Sequence, residues 1–447
     1  MLTAEDNELL TRVEGDAPMG QMMRRHWIPA CMSEEVEEPG GAPRRVRLLG
    51  EDLVAFRGTD GKVAMVGEYC PHRRASLALG RIEDCTLVCL YHGWKIDADG
   101  KVLDMPSEPP ESKMKDKVKH VAYPVVESGA MIWVYMGPKE SMPEFPLPPW
   151  MDKPDNSVAI AKLHEAANWA QAMEGTIDSA HSSTLHSSNI RSAANVRGST
   201  DRGGSKELLL ERPSVDRCPR IQVQYTSYGF RYAAVRTPMQ NADKEDYVRV
   251  TVYIAPFISL IPPHDTWQSA QVFVPVDDHN TMFYFVAWSD KKQLDQKDWQ
   301  KENFAAVGID VDSYHRKFRN RENLYKQDRE AMKNGDFTGI QGVPNQDMAV
   351  QESMGSIVDR TKENLGASDV AIVRFRQMMV HAARAFMSGE PAIGTAEPRL
   401  PLTEIRAFEG LLPKETPWRD KGVTEQEAAG FRKLTDLRSP EPVRKEA

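Results

Sequence analysis

Two pairs of side chains, each a cysteine with a histidine, constrain this chain more than any other feature. Cys70 and His72 stand in "YCPHRRASL" and Cys89 and His92 in "CLYHGWKID", a C-x-H and a C-x2-H separated by sixteen residues. Each pair falls at a turn between short runs of alternating apolar residues, so two adjacent hairpin tips can present one thiolate and one imidazole apiece to a common centre. Two Cys and two His suit a tetrahedral zinc site, but zinc fingers usually pair Cys with Cys and His with His. A [2Fe-2S] cluster with two thiolates on one iron and two imidazoles on the other is satisfied by mixed pairs. The order of ligands favours that cluster, with zinc as the competing chemistry. Cys85, four residues before Cys89, reads as a buried strand thiol. With Cys31 and Cys218 it brings the cysteines to five in 447 residues, which is no disulfide framework.

A chain of this length implies two or three domains. Residues 1–24 read as a polar helical lead-in, 25–150 as a β-rich domain, 151–412 as an α+β domain and 413–447 as a polar, loosely held tail. The boundary near Trp150 rests on "PEFPLPPW", whose prolines interrupt regular structure. Beyond it, "KLHEAANWAQAMEGTIDSAHSS" reads as helical. "RIQVQYTSYGFRYAAVR", "YVRVTVYIAPFISLIPP" and "SAQVFVPVDDHNTMFYFVAW" read as long strands. A final amphipathic helix is expected from an N-cap at Ser368 to about Ser388, with Ile372, Phe375, Met379, Ala382 and Phe386 on one face and Gly389 beyond its end. A net charge of -8 without a basic stripe argues against nucleic acid as a partner. No apolar run approaches the roughly 20 residues of a membrane helix. The acidic start "MLTAEDNELL" is unlike a signal peptide, so a cytoplasmic protein is expected.

A second constellation lies in "DSAHSSTLH", where Asp178, His181 and His186 fall within nine positions. Histidines five apart do not share a helix face, so packing gains nothing from the arrangement. As metal ligands they need only a helix that ends or distorts between them, which Ser182, Ser183 and Thr184 allow. Two imidazoles and one carboxylate on one face of an iron ion leave positions open for dioxygen. The carboxylate is then to be sought far along the chain.

Together, "DAPMGQMMRRHWIPACMSEE", "CPHRRASLALGRIEDCTLVCLYHGWKID", "EGTIDSAHSSTLH" and "NQDMAVQES" resemble the Rieske non-haem iron oxygenases, in particular their phthalate dioxygenase-like α subunits, over nearly the whole chain. The pattern D-x2-H-x4-H falls on Asp178, His181 and His186, and the later aspartate ligand on Asp347, with Asp336 and Glu352 as runners-up. The resemblance implies a Rieske domain followed by a helix-grip catalytic domain, in head-to-tail trimers or stacked hexamers. The cluster of one subunit then lies near the mononuclear iron of the next. Asp178 would bridge them, accepting from His181 on one side and from a cluster ligand, His92, on the other. Without a dinucleotide fingerprint in the chain, the resemblance also implies a separate NADH-dependent reductase with flavin and its own iron-sulfur centre.

In "DYVRVTVYI", Tyr247, Arg249, Thr251 and Tyr253 share one face and the valines the other. If the valines pack beneath, Arg249 points into the cavity, where a guanidinium can bind a carboxylate through two parallel hydrogen bonds. Arg236 is a weaker second candidate. The expected activity is dioxygen-dependent cis-dihydroxylation of a phthalate-like aromatic carboxylate. The alternatives are O-demethylation of a methoxylated aromatic acid and, in a different class, a bare electron carrier without the mononuclear iron.

Overall fold

The computed structural model describes residues 2–151, 157–194, 196, 210–262, 267–290, 293–396 and 402–422. The first part of the chain is built of three small sheets. Trp27–Met32 pairs with Met131–Tyr135, which pairs with Val125–Ser128. Arg44–Leu48, Glu51–Arg57, Val63–Gly67 and Ala122–Tyr123 form a second sheet, and Arg81–Glu83, Thr86–Val88, Lys95–Ile96 and Val102–Asp104 a third. Val54, Phe56, Val66, Leu87 and Ile96 from the latter two, with Trp94 from the loop before Lys95–Ile96, enclose a core of their own, which also buries Cys70 and Cys89.

The second part is organised by an eight-stranded antiparallel sheet. Its order is Val158–Glu165, Thr281–Trp288, Gln268–Pro275, Ile258–Ile261, Glu245–Ile254, Gly229–Arg236 and Arg220–Thr226, with Phe408–Pro413 also paired to Glu245–Ile254. Helices Trp169–Ile177, Val343–Ser353 and Val370–Met387 accompany it. The chain is therefore α+β, a β-rich part followed by an antiparallel sheet with helices. Trp150 lies between the parts, its ring 6.2 Å from Trp133 and 6.0 Å from Trp288.

Several expectations need correction. Lys162 to Glu165 end a strand instead of opening a helix. Nearly every residue of Val158–Glu165 is buried, so the period-two signal that marks a half-exposed strand is missing. All three expected long strands are interrupted. Gly229 follows a turn that folds Arg220–Thr226 against Gly229–Arg236, and Pro256, which has no N–H to donate, separates Glu245–Ile254 from Ile258–Ile261. "SAQVFVPVDDHNTMFYFVAW" is likewise a hairpin, Gln268–Pro275 with Thr281–Trp288.

Cys85 is exposed, in the turn between Arg81–Glu83 and Thr86–Val88, and is not a buried thiol. The last helix has its predicted face, with Ile372, Phe375, Met379 and Ala382 buried and Gly389 in the left-handed region just beyond. It is led in by the short turn Ala367–Asp369, and its N-cap position is Asp369, not Ser368. The expected lead-in is part of the main core, which takes in Leu10, Val13, Met19, Met22 and Met23. The expected loose tail contains the buried Trp418, packed with Val248, Val250 and Leu412; residues 423–447 lie outside the described residues. Among the described residues no helix is long and apolar enough to cross a membrane.

A buried ion cluster fastens the helices. Glu174 receives Arg360 at 2.9 and 3.1 Å and Arg376 at 2.8 and 2.9 Å; Arg360 also donates to Asn7 at 3.0 Å, and Arg376 pairs with Glu363. Burial alone would raise the Glu174 pKa, but the two guanidinium groups outweigh it and hold the carboxylate ionised. Glu174→Ala leaves two buried cations short of their counter-charge. It is expected to lower the unfolding free energy by about 3–5 kcal/mol, read as a shift in the urea midpoint; a midpoint within experimental error of the parent would show that the cluster is not needed.

Candidate metal centres and catalytic cavity

The four Cys and His residues of the first part occupy two loops of matching backbone. The Cys70 N–H donates to the Ala75 carbonyl and the Arg74 N–H to the Cys70 carbonyl, each at 2.9 Å. In the second loop the Cys89 N–H donates to Trp94 and the Gly93 N–H to Cys89, also at 2.9 Å. The fifth residue of each loop is left-handed, Arg74 at φ +66° and Gly93 at φ +73°. The histidines enter at different places, two residues after Cys70 and three after Cys89, yet their rings come within 4.5 Å. His72 stacks on the buried indole of Trp94 at 4.7 Å, and its Nδ1 is buried without a hydrogen-bond partner. Two buried thiols that form no disulfide, two convergent imidazoles and an orphaned ring nitrogen are the donor set that a mixed-ligand [2Fe-2S] cluster requires.

The second centre lies where helix Trp169–Ile177 ends. Asn168 caps that helix, accepting from Ala170 at 3.1 Å while donating to the Thr11 and Asp278 carbonyls at 2.9 and 2.8 Å. At Asp178 the backbone turns out of the helix, and the Asp178 carboxylate accepts the Ala180 N–H at 2.7 Å. A single short turn, His181–Ser183, then carries the first histidine, and the segment bends again before His186. Tyr232 meets Ser179 at 2.9 Å and Arg236 donates to the Ser179 carbonyl at 2.6 Å, so the neighbouring strand fastens this segment.

Helix Val343–Ser353 supplies the third group. It crosses Trp169–Ile177 so closely at Gly175 that an added Cβ would stand 1.9 Å from the Gln351 amide nitrogen. That approach brings Asp347 to His181 and His186, with Oδ1 3.5 Å from His181 Nε2 and 3.0 Å from His186 Nε2. One donor atom from each residue lies within 4.8 Å of the other two. His181 Nδ1 is 3.6 Å from Asp178 on its other side. Burial opposes protonation of His181, but Asp178 and Asp347 outweigh it and raise its pKa, so the site's potential favours a cation. Two imidazoles and a carboxylate on one side of a space fit a mononuclear iron with open positions. The other carboxylates considered stand elsewhere: Asp336 accepts the Thr338 N–H, and Glu352 binds Lys317 and the Ala166 N–H.

A cavity of about 150 Å³ opens from this triangle, a size that accommodates a benzene ring. Phe273, Phe283, Phe285, Trp267 and Trp299 are among its lining residues, as are Arg249 and Thr251 from one face of Glu245–Ile254. Arg249 is 3.3 Å from Glu409 and donates to the Pro262 carbonyl. Arg236 does not line the cavity; its guanidinium serves the carbonyls of Ser179 and Asp216.

Sequence reasoning missed Arg212, which lines the cavity, donates to Ser182 at 3.0 Å and keeps a buried Nε without a partner. Burial, then the positive charges of Arg249 and Arg236, push its pKa down to about 9. In the sequence it is one arginine before a proline in "LLLERPS", which carries no signal. Glu165 also lines the cavity, and burial raises it well above the carboxylate range. It was concealed by the helical reading of its segment.

Comparison with known proteins places these observations. The Rieske [2Fe-2S] domain family matches residues 26–125 and the LigXa C-terminal domain like family residues 134–440. The oxygenase subunit of phthalate 4,5-dioxygenase from Pseudomonas putida is 54% identical, covering 94% of each chain. The oxygenase subunit of 5,5'-dehydrodivanillate O-demethylase from a Sphingobium species is 30% identical over 93% of this chain and 90% of its own. The caffeine-bound NdmA structure of Pseudomonas putida CBB5 superposes with a TM-score of 0.55 at 19% identity, covering 83% of this chain and 94% of that one, and shares the fold.

Metal analysis separates the two centres. About three irons per chain are expected, two in the cluster and one at the triangle. His186→Ala or Asp347→Ala is expected to lose one iron and leave the cluster's visible absorption intact. A colourless protein with stoichiometric zinc, or loss of colour and iron together in these variants, would show the ligands to be misassigned.

Proposed function

Because the chain belongs to the Rieske non-haem iron oxygenases, as the oxygenase subunit of an aromatic-ring dioxygenase with a Rieske cluster and a mononuclear iron, we propose that it cis-dihydroxylates a phthalate-like aromatic carboxylate. The observation that carries the substrate is the cavity wall. Arg212 and Arg249 stand at one cavity whose other lining residues include five aromatic rings. Arg249 is compensated by Glu409, whereas Arg212 has no carboxylate partner among the described residues and an unsatisfied Nε. A substrate carboxylate would restore the lost counter-charge and fill that hydrogen bond. Glu165, kept neutral by burial, adds no negative charge to a cavity that must admit an anion. The relative similar at 54% is named for phthalate, an aromatic dicarboxylate, while the O-demethylase relative is more distant.

In this reading Cys70, His72, Cys89 and His92 hold the cluster, and His181, His186 and Asp347 the iron. Residues 25–150 form the cluster domain, 151–412 the iron domain, and 1–24 and 413–447 the flanking segments. Iron at the triangle supplies dioxygen activation when bound. The protein's own groups hold the ring beside it, seat the carboxylate on Arg212 and Arg249, and line much of the wall with aromatic side chains. The ring gains both oxygen atoms, two electrons and two protons. The electrons come from an NADH-dependent reductase with flavin and an iron-sulfur centre, which places the reaction in the cytoplasm.

The subunits assemble head to tail as trimers or stacked hexamers. The second ligand loop exposes Leu90 and Tyr91, and the turn Leu77–Leu79 after the first loop exposes Leu79, an apolar fringe suited to a neighbouring subunit. Asp178 has contacts only within its own segment among the described interactions, which leaves its outer side to a cluster histidine, His92, of the next subunit. A carboxylate so placed orients both rings and couples the centres.

Two experiments test these assignments. With isotopically labelled dioxygen and phthalate, both labelled atoms are expected in one diol; release of formaldehyde from a methoxylated acid, with no diol from any carboxylate, would establish the demethylase reading instead. In the same assay Arg212→Ala is expected to raise the half-saturating concentration roughly 10- to 100-fold, the loss of a charge-assisted bond of about 1.5–3 kcal/mol. An unchanged value would remove Arg212 from the carboxylate seat. Asp178→Asn keeps shape but loses charge. It is expected to retain both metals and to slow single-turnover electron transfer steeply, with little change in substrate affinity; a parental rate would reduce Asp178 to a turn-forming role.

A further inference from the structure

His186 Nδ1 lies 2.7 Å from the side-chain oxygen of Gln346, a residue buried in the first turn of the helix that also carries Asp347. An amide can face an imidazole with either end, so the meaning of this contact depends on which end is fixed. Here it is fixed by the backbone. Gln346 Nε2 is 2.8 Å from the Ile340 carbonyl and 3.1 Å from Asn189 Oδ1. The Asn189 amide could turn over, but a backbone carbonyl accepts only. Reversing Gln346 would set its oxygen against that carbonyl oxygen. The amide therefore presents oxygen to His186, and an amide oxygen cannot donate, so the proton of the pair sits on His186 Nδ1.

We infer that Gln346 is a positioning residue for the mononuclear metal: it holds the Nδ1 proton of His186 and so keeps the Nε2 lone pair free and aimed at the space shared with His181 and Asp347. The inference rests on the reading of His186 as an iron ligand. It explains the short approach of His186 Nε2 to Asp347 Oδ1, 3.0 Å: two lone-pair atoms at that separation are suited to a cation between them. It also makes the two histidines unequal. His181 has a carboxylate behind it, 3.6 Å away, and is the stronger electron donor, while His186 has a neutral amide and is the weaker one. Because Gln346 and Asp347 are consecutive in one helix, one ligand and the orientation of another are set by a single rigid element.

The test removes only the mononuclear iron from the purified holoprotein and measures Fe(II) rebinding by competition with a chelator. The cluster's visible absorption reports that the fold is intact. Gln346→Leu is expected to weaken Fe(II) binding roughly 10- to 100-fold and to alter the paramagnetic signal of the site's nitric oxide complex. Gln346→Asn, which withdraws the amide by one methylene without burying a leucine against a polar ring, is expected to do the same. Gln346→Glu in its protonated form keeps a donor toward Ile340 and an acceptor toward His186, and is expected to restore most of the affinity. Parental Fe(II) affinity and an unchanged nitric oxide signal in both Gln346→Leu and Gln346→Asn would overturn the inference. Parental affinity in His186→Ala would instead overturn the ligand assignment on which it rests.

Discussion

Two imidazole nitrogens and a carboxylate oxygen gathered within 4.8 Å repel one another unless a proton or a metal ion lies among them, and much of the second domain can be understood as the means of holding them there. Asn168 fixes where the helix begins, Asp178 turns the backbone out of it, and the strand residues Tyr232 and Arg236 fasten the turn at Ser179. Gly175 lets the second helix approach until Asp347 is in reach. Glu174, one residue earlier, anchors the first helix to Arg360 and Arg376 from the other direction. The anchoring groups Asn168, Glu174, Arg360 and Arg376 are paired in a buried setting, where breaking one contact leaves an uncompensated charge or dipole.

What could be read from the sequence followed how local each requirement is. Cys70 with His72, Cys89 with His92, and Asp178 with His181 and His186 are short-range patterns, because each set lies within one short stretch of backbone. Asp347 needed the family pattern, since only the crossing of two helices brings it to the histidines. Arg212 and Gln346 were beyond reach for the same reason: their meaning lies in which group faces them across a cavity or a helix interface. The strand Val158–Glu165 was hidden by burial on both faces, and the final helix was visible because only one of its faces is buried.

The arginines show how position along a strand fails to decide role. Arg236 and Arg249 lie on adjacent strands, Arg236 opposite Tyr247 and Arg249 opposite Ala234. One binds backbone carbonyls and supports the turn at Ser179, and the other reaches the cavity with its charge already met by Glu409 from the strand Phe408–Pro413. The late strand therefore does more than close the sheet. By compensating Arg249 it leaves Arg212 as the less compensated of the two arginines at the cavity.

The matched loops around the cysteines differ in the residue that takes their left-handed position, and so in charge. A left-handed residue is needed five positions into each loop, and glycine meets that need without steric cost in the second. The first uses Arg74 instead, its guanidinium 4.6 Å from the Tyr69 ring, with Arg73 beside it over Tyr91. Were a cluster held by these loops, two exposed positive charges at their rim would favour its more negative, reduced form, to an extent reduced by solvent screening. A backbone conformation that glycine adopts freely is taken here by a charged residue, so the first loop carries an exposed positive charge at a position that the second loop leaves neutral.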